Sequence, residues 1–249
     1  MISILMNNEI LISVMLPTRH RVDLVKRSIS GLLEKANNPA NIEILIAYDD
    51  DDMDSKEFFS TEWNKLINSF GAHTQVFETP QWGYGELNDY YNLMSKNAKG
   101  QWLLLWNDDA LMMDPAWDTA ISQHKDFLGM IHMNTDNFGK HLTLFPLVPR
   151  EWIKLFGCLS LSNLNDSWIQ DICHAANTVL TIEPRIFHDR FDVTGNNHDS
   201  TYLNRNYQKK RHNSEEMKQE RLNWAQRWQD FVNQQNSACA ANTHQIQGQ

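Results

Sequence analysis

Two short apolar runs, each closed by a cluster of aspartates, limit what this chain can become. Ile42 to Tyr48 is β-rich and stops at Asp49-Asp50-Asp51-Asp52, while Trp102 to Trp106 stops at Asn107-Asp108-Asp109. Apolar runs of this length suit strands buried on both faces, as in a parallel sheet. Upstream, Ile10 to Leu16 reads as another strand, closed by Pro17, and Val22, Val25, Ile29 and Leu32 then recur at helical spacing. Strand, helix and strand in that order make a βαβ unit. Thr74 to Phe77 reads as a short third strand and Gly85 to Asn97 as a helix. Both aspartate clusters therefore fall just past strand C-termini, the edge of an open α/β sheet where loops converge and ligands bind.

The second half is expected to supply strands at Gly129–Met133, Leu142–Leu147 and Val179–Ile182, with a helix over Ser167–Ala176. The predicted fold class is α/β, a single domain over residues 1–212 with a mixed, mostly parallel central sheet flanked by helices. Residues 213–249 are charged and then rich in Gln and Asn, so a helix to about Val232 and a disordered end are expected. With 249 residues, 41% hydrophobic, the chain has enough apolar material for one large core. Nine Trp and eleven Phe argue against disorder over most of it.

Charge narrows the partners. A formal net charge of −9 repels a nucleic-acid backbone, so no nucleic-acid partner is expected. A small phosphorylated ligand stays allowed, because a metal ion can supply the missing positive charge. Three cysteines without a CxxC pair fit a reducing compartment. No apolar run approaches the roughly 20 residues of a membrane span, and no basic, then apolar leader opens the chain. The expected location is cytoplasmic.

The aspartates carry the candidate chemistry. Asp49 to Asp54 can be read as a solvated turn that caps the following helix. A calcium loop is excluded, since position six is Ser55 and position twelve is Thr61. Asp108 and Asp109 leave a buried strand together, and a pair of hard oxygen ligands suits Mg²⁺ or Mn²⁺, which also bind phosphate oxygens. The alternative is a helix cap near Asp114-Pro115.

In order and spacing these features resemble the family 2 glycosyltransferases and their relatives with the GT-A fold, from Ile12 to His188. Ile12 to Arg19 is similar to that family's opening strand and nucleotide loop, Tyr48-Asp49-Asp50 to its second-strand acidic pair, and Asn107-Asp108-Asp109 to its DxD-type motif. Asn92 and Ala98 to Trp102 resemble the helix and turn leading into that motif. The resemblance implies a Rossmann-like GT-A domain that transfers sugar from a nucleoside-diphosphate sugar, a UDP-sugar first among them, to a glycan or other hydroxyl acceptor. Asp49 and Asp50 are then expected at the nucleotide, with Pro17, Thr18 and Arg19 lining its pocket. Asp108 is expected near the ribose or the metal, and Asp109 as the direct ligand of Mn²⁺ or Mg²⁺. Asn107 departs from the motif's usual Asp. Asn165-Asp166-Ser167-Trp168 resembles the segment that bears the catalytic carboxylate, which makes Asp166 the candidate base, with Asp199 second. Asp166 is equally suited to cap a helix beginning at Ser167. His188, closing Pro184-Arg185-Ile186-Phe187-His188, resembles the residue that completes the metal site.

Two other readings compete. A sugar-phosphate nucleotidyltransferase also uses a metal and a Rossmann-like sheet, but its glycine-rich loop has no counterpart in Pro17 to Arg21. A non-catalytic nucleotide- or glycan-binding module is the third. Trp82 and Tyr84 are expected to line the site, and the basic cluster Lys209-Lys210-Arg211-His212 is read as a solvated helix start or a diphosphate grip.

Overall fold

Alternation of side chains along the strands decides the architecture. In the computed structural model, which describes residues 9–135, 144–190, 194–195 and 205–246, strand β1 (Ile12–Thr18) sends Ile12, Val14 and Leu16 to one apolar layer and Met15 to the other. Strand β2 (Ile42–Asp49) splits Ile42, Ile44 and Ile46 from Leu45 and Ala47 in the same way. Strand β4 (Trp102–Leu105) splits Trp102 and Leu104 from Leu103 and Leu105. Each strand is thus buried on both faces, which explains why the sequence shows runs rather than alternation.

Among the described residues, eight strands form one mixed sheet in the order β3-β2-β1-β4-β7-β6-β8-β5. Strands β1, β2, β4 and β3 (His73–Thr79) are mutually parallel. Strand β7 (Leu147–Pro149) runs antiparallel to β4 and to β6 (Met130–Thr135), and β6 is parallel to β8 (Val179–His188). Strand β5 (Ala110–Met112) pairs antiparallel with the end of β8, opposite Ile186 to His188. The expected strand at Leu142–Leu147 falls partly outside the described residues, and the described strand starts only at Leu147.

Helices α1 (Val22–Glu34), α2 (Met53–Thr61), α3 (Trp63–Phe70) and α5 (Trp117–Ser122) cover the first face. Helices α4 (Leu87–Asn97), α6 (Glu151–Phe156) and α7 (Asn165–Ala175) cover the second. The chain then gives α8 (Arg205–His212) and α9 (Glu215–Ile246), which runs well past the expected stop at Val232. Trp224 of α9 stacks on Phe156 with ring centroids 4.0 Å apart, and Trp228 lies 5.2 Å from Trp152. Helix α9 is therefore part of the second apolar layer.

One polar knot ties the sheet to the turn before β4. Glu43, almost fully buried, accepts from Ser13 Oγ at 2.6 Å, from Lys99 N at 2.5 Å and from Gln75 Nε2 at 3.2 Å. Several donors on one buried carboxylate offset its desolvation. Gly100 fits beneath it: a Cβ there would lie 2.5 Å from Ser13 N and 2.8 Å from Ile12 C, both backbone atoms that cannot step aside. Gly100→Ala is expected to destabilise the fold by about 1–3 kcal/mol through overpacking. Urea unfolding checks this, and an unchanged midpoint would contradict it.

Candidate active site

The site is built where β1 and β4 end. Residues 106 to 110 leave β4 in a turn whose backbone is pinned from two sides. The buried Tyr91 hydroxyl donates to Trp106 O at 3.0 Å, and Ser28 Oγ donates to Ala110 O at 2.7 Å while accepting from Trp106 Nε1 at 2.8 Å. Burial pushes the Tyr91 phenol well above its ordinary range, so it stays a donor. The turn delivers two carboxylates side by side.

Asp108 points toward β1. Its Oδ2 accepts from Thr18 Oγ1 at 2.9 Å and its Oδ1 from Arg21 Nη1 at 2.9 Å. Burial raises its pKa to about 6, with Arg21 opposing the shift and the charge of Asp109 adding to it. Asp109 points toward β8. The pairing of Ala110 with His188 across β5 and β8 sets the His188 ring beside Asp109, with Nε2 2.9 Å from Oδ1. Asp189 N donates to Asp109 O at 2.9 Å, and the Phe145 ring lies 5.0 Å from the imidazole. The aspartate pair thus precedes a strand, and the helix-cap alternative fails: Asp114 instead binds Arg185.

A cleft opens above this turn. It is lined by Pro17, Thr18 and Arg19 from the end of β1, by Tyr84 and Tyr90, by Leu105, Asn107, Asp108 and Asp109 from the end of β4 and the turn after it, and by His188, Arg190 and Asn163 to Asp166. Asp166 sits in the first turn of α7, where its Oδ1 accepts from Ser167 N at 2.8 Å. The helix starts at Asn165 with Leu164 at its N-cap, so Asp166 is one step inside rather than the cap expected for a helix at Ser167. Asn92 of α4 holds the approach to α7: its Oδ1 accepts from Leu159 N at 2.8 Å and its Nδ2 donates to Ser160 O at 2.9 Å.

Other expected residues lie elsewhere. Asp49 is fully buried behind the cleft wall, and Asp50 is exposed outside it. Asp52 caps α2 by accepting from Ser55 N at 3.1 Å and also takes His20 N at 2.6 Å, so part of the acidic turn is the helix cap that the sequence suggests. Tyr84 lines the cleft, whereas Trp82 packs behind it on Tyr90 at 5.1 Å. Lys209 and Lys210 are exposed and His212 is buried against Ser162, its Nδ1 2.8 Å from Oγ, away from the cleft. Asp199 lies outside the described residues. Among the described residues, the arginines that line the cleft are Arg19, Arg21 and Arg190. No motif marks Arg190; the sequence signal for it is its place two residues beyond His188.

Among the described residues no group of three His, Cys, Asp or Glu side chains is arranged to hold a metal. The two-residue set Asp109 and His188 nevertheless fits Mn²⁺ or Mg²⁺ of the kind that takes few protein ligands and completes its shell with substrate phosphate and water. A carboxylate oxygen and an imidazole nitrogen 2.9 Å apart, both lining the cleft, are suitable donors for it.

No sequence-family profile and no curated protein sequence matches the chain. Solved structures do. TarS residues 1–349 from S. aureus, in complex with UDP, aligns with TM-score 0.56 at 10% identity over 71% of this chain and 60% of its own. The mannosyltransferase PcManGT from Pyrobaculum calidifontis, with GDP-Man and Mn²⁺, gives 0.54 at 16% identity over 71% and 56%. GalNAc-T7 with UDP, GalNAc and Mn²⁺ gives 0.56 at 13% identity over 73% and 44%. The chain has the GT-A glycosyltransferase fold, and it spans about half the length of these neighbours. No helix among the described residues is long and apolar enough to cross a membrane.

Proposed function

We propose that the protein is a metal-dependent glycosyltransferase that moves a sugar from a nucleoside-diphosphate sugar, a UDP-sugar first among them, to an acceptor hydroxyl with inversion. The observation that carries this reading is the pairing of Asp109 with His188 in a cleft that Asp166 also lines. Structural neighbours that hold UDP or GDP-Man, two of them with Mn²⁺, support the donor class.

Pro17, Thr18 and Arg19 would flank the nucleotide, and Asp108, held by Thr18 and Arg21, would face the ribose. Asp109 and His188 would hold Mn²⁺ or Mg²⁺, which when bound neutralises charge on the departing diphosphate. Arg190 adds a second cation on that side of the cleft. Asp166 would accept the proton of the acceptor hydroxyl as its oxygen bonds to the anomeric carbon. The bond from that carbon to the phosphate oxygen breaks, and the nucleoside diphosphate leaves with the electron pair. One carboxylate on the face opposite the leaving group suffices for inversion.

A thermal-shift panel of nucleoside diphosphates with Mn²⁺ and with EDTA tests the reading. At least one nucleotide is expected to raise Tm with Mn²⁺ and to lose most of that shift in EDTA. No shift with any nucleotide would sink it. Binding without hydrolysis or transfer of any donor sugar would leave a non-catalytic module in its place.

Asp166→Asn tests the base. Donor turnover is expected to fall by about 100-fold or more, with nucleoside-diphosphate affinity within a factor of about two. Unchanged turnover would remove Asp166 from this role.

A further inference from the structure

Residues 157–164, which join α6 to α7, end at the cleft. Asn163 and Leu164 line it, as do Asn165 and Asp166 in the first turn of α7. A connecting loop moves more than the elements it joins unless its backbone is tied down, and here serines tie it. Ser160 Oγ accepts from Ser162 N at 2.9 Å and donates to Ser162 O at 2.8 Å, and Ser162 Oγ accepts from Leu164 N at 3.2 Å.

The outer end of this chain of bonds comes from a side chain distant in sequence. His212, the last residue of α8, is buried, and its Nδ1 lies 2.8 Å from Ser162 Oγ. Its Nε2 faces Asp171 of α7, 3.4 Å from Oδ2. An ionised carboxylate only accepts, so in a neutral ring the proton belongs on Nε2, and Nδ1 accepts the Ser162 hydroxyl proton. Arg221 of α9 closes the ring: its Nε donates to the same Asp171 oxygen at 3.0 Å and its Nη1 to His212 O at 2.8 Å. His212 therefore holds α7 on both sides of Asp166, at Ser162 before it and at Asp171 after it. The docking of α9 is already carried by the buried rings of Trp224 and Trp228. A buried polar network adds little net stability to such a contact, and what it supplies is orientation.

We propose that His212 is a positioning residue for Asp166, fixing the start of α7 through Ser162 and Asp171 so that the carboxylate meets an acceptor hydroxyl. The inference rests on the reading of Asp166 as the base. It gives the C-terminal helices a part in transfer as well as in stability.

The test compares the full chain with His212→Ala, His212→Asn, Ser162→Ala, Asp166→Asn and the double variant Asp166→Asn/His212→Ala, all with Mn²⁺. His212→Ala is expected to lower kcat by about 10-fold or more, the scale on which a misplaced reacting group acts, with nucleoside-diphosphate affinity within a factor of about two. Ser162→Ala should act in the same direction, and it carries the test if His212→Ala does not fold. His212→Asn puts an amide oxygen where Nδ1 sits and should restore kcat to within about 3-fold of wild type. Once Asp166 is gone the histidine should no longer matter, so the double variant should lie within about 2-fold of Asp166→Asn. Amide exchange over residues 160–168 should quicken by about 10-fold in His212→Ala while β1 and β4 stay as protected as before. An unchanged kcat in His212→Ala and Ser162→Ala would overturn the inference alone, as would a loss from His212→Ala that recurs in full in the double variant, the mark of a merely structural role. Wild-type turnover in Asp166→Asn would overturn the base reading and this inference with it.

Discussion

Asp109→Ala is expected to reduce metal-dependent donor turnover by at least about 100-fold, the scale on which loss of one group aimed at developing charge acts. The substitution removes a carboxylate from the cleft lining and the partner of His188 Nε2. It should leave the sheet intact, because the backbone link from Asp189 N to Asp109 O and the Ser28 and Tyr91 clamps do not use the side chain. The stability cost is one hydrogen bond, about 1 kcal/mol. His188→Ala should act in the same direction, and the double variant should lose little more than either single one, as groups on one metal do. Steady-state turnover at saturating donor and Mn²⁺ decides the matter. Retained activity in Asp109→Ala would remove the residue from the site.

The largest effect on stability is expected far from the cleft. Trp228→Ala should destabilise the protein by about 3–5 kcal/mol, the usual range for emptying a buried aromatic site. The side chain is fully buried, its ring packs on Trp152 at 5.2 Å and on Phe231 at 5.5 Å, and its Nε1 donates to Thr178 Oγ1 at 3.1 Å. For a chain of this length that loss lowers Tm by roughly 10 °C. A change below about 1 kcal/mol would mean that α9 is not docked as described.

How far the sequence could be read depended on whether each element announced itself locally. Strands β1, β2 and β4 and helices α1 and α4 did, since their apolar runs and 3.6-residue spacing are properties of neighbouring residues. Strand β5 did not: three residues, Ala110 to Met112, are too few to make a pattern. The apolar run of β8 reads as a strand only over Val179–Ile182, and Pro184–His188 resembles a separate late strand, whereas the two are one strand, Val179–His188. The pairing register with β6 jumps from Ile182 to Arg185, so Glu183 and Pro184 occupy a bulge where a missing N–H is tolerated. The acidic turn points to one helix after it, which is α2; α3 has no such signal and begins at Trp63 without a side-chain cap.

The candidate site shows the same division. Asp108, Asp109 and His188 come together, and Asp166 faces the same cleft. What holds them was illegible, because the hydrogen bond from Arg21 to Asp108 spans 87 positions and that from Tyr91 to Trp106 depends on how α4 lies across the sheet. Asp49 was legible as a carboxylate at a strand end. That its oxygens would be filled by Arg19, Thr79, Trp82 and Tyr90 follows only from the loops closing over it.

Helix α9 also sets an order of events in biosynthesis. The rings of Trp152, Phe156 and Trp168 find their cover in Trp224 and Trp228, which leave the ribosome some 50 to 80 residues later. Until then the nascent chain carries an uncovered aromatic face on a sheet that is otherwise complete. Such a face is the kind of surface that chaperones hold and that aggregates form on. Fragments ending before residue 224 should therefore collect in the insoluble fraction, even though every residue assigned to the cleft is present in them.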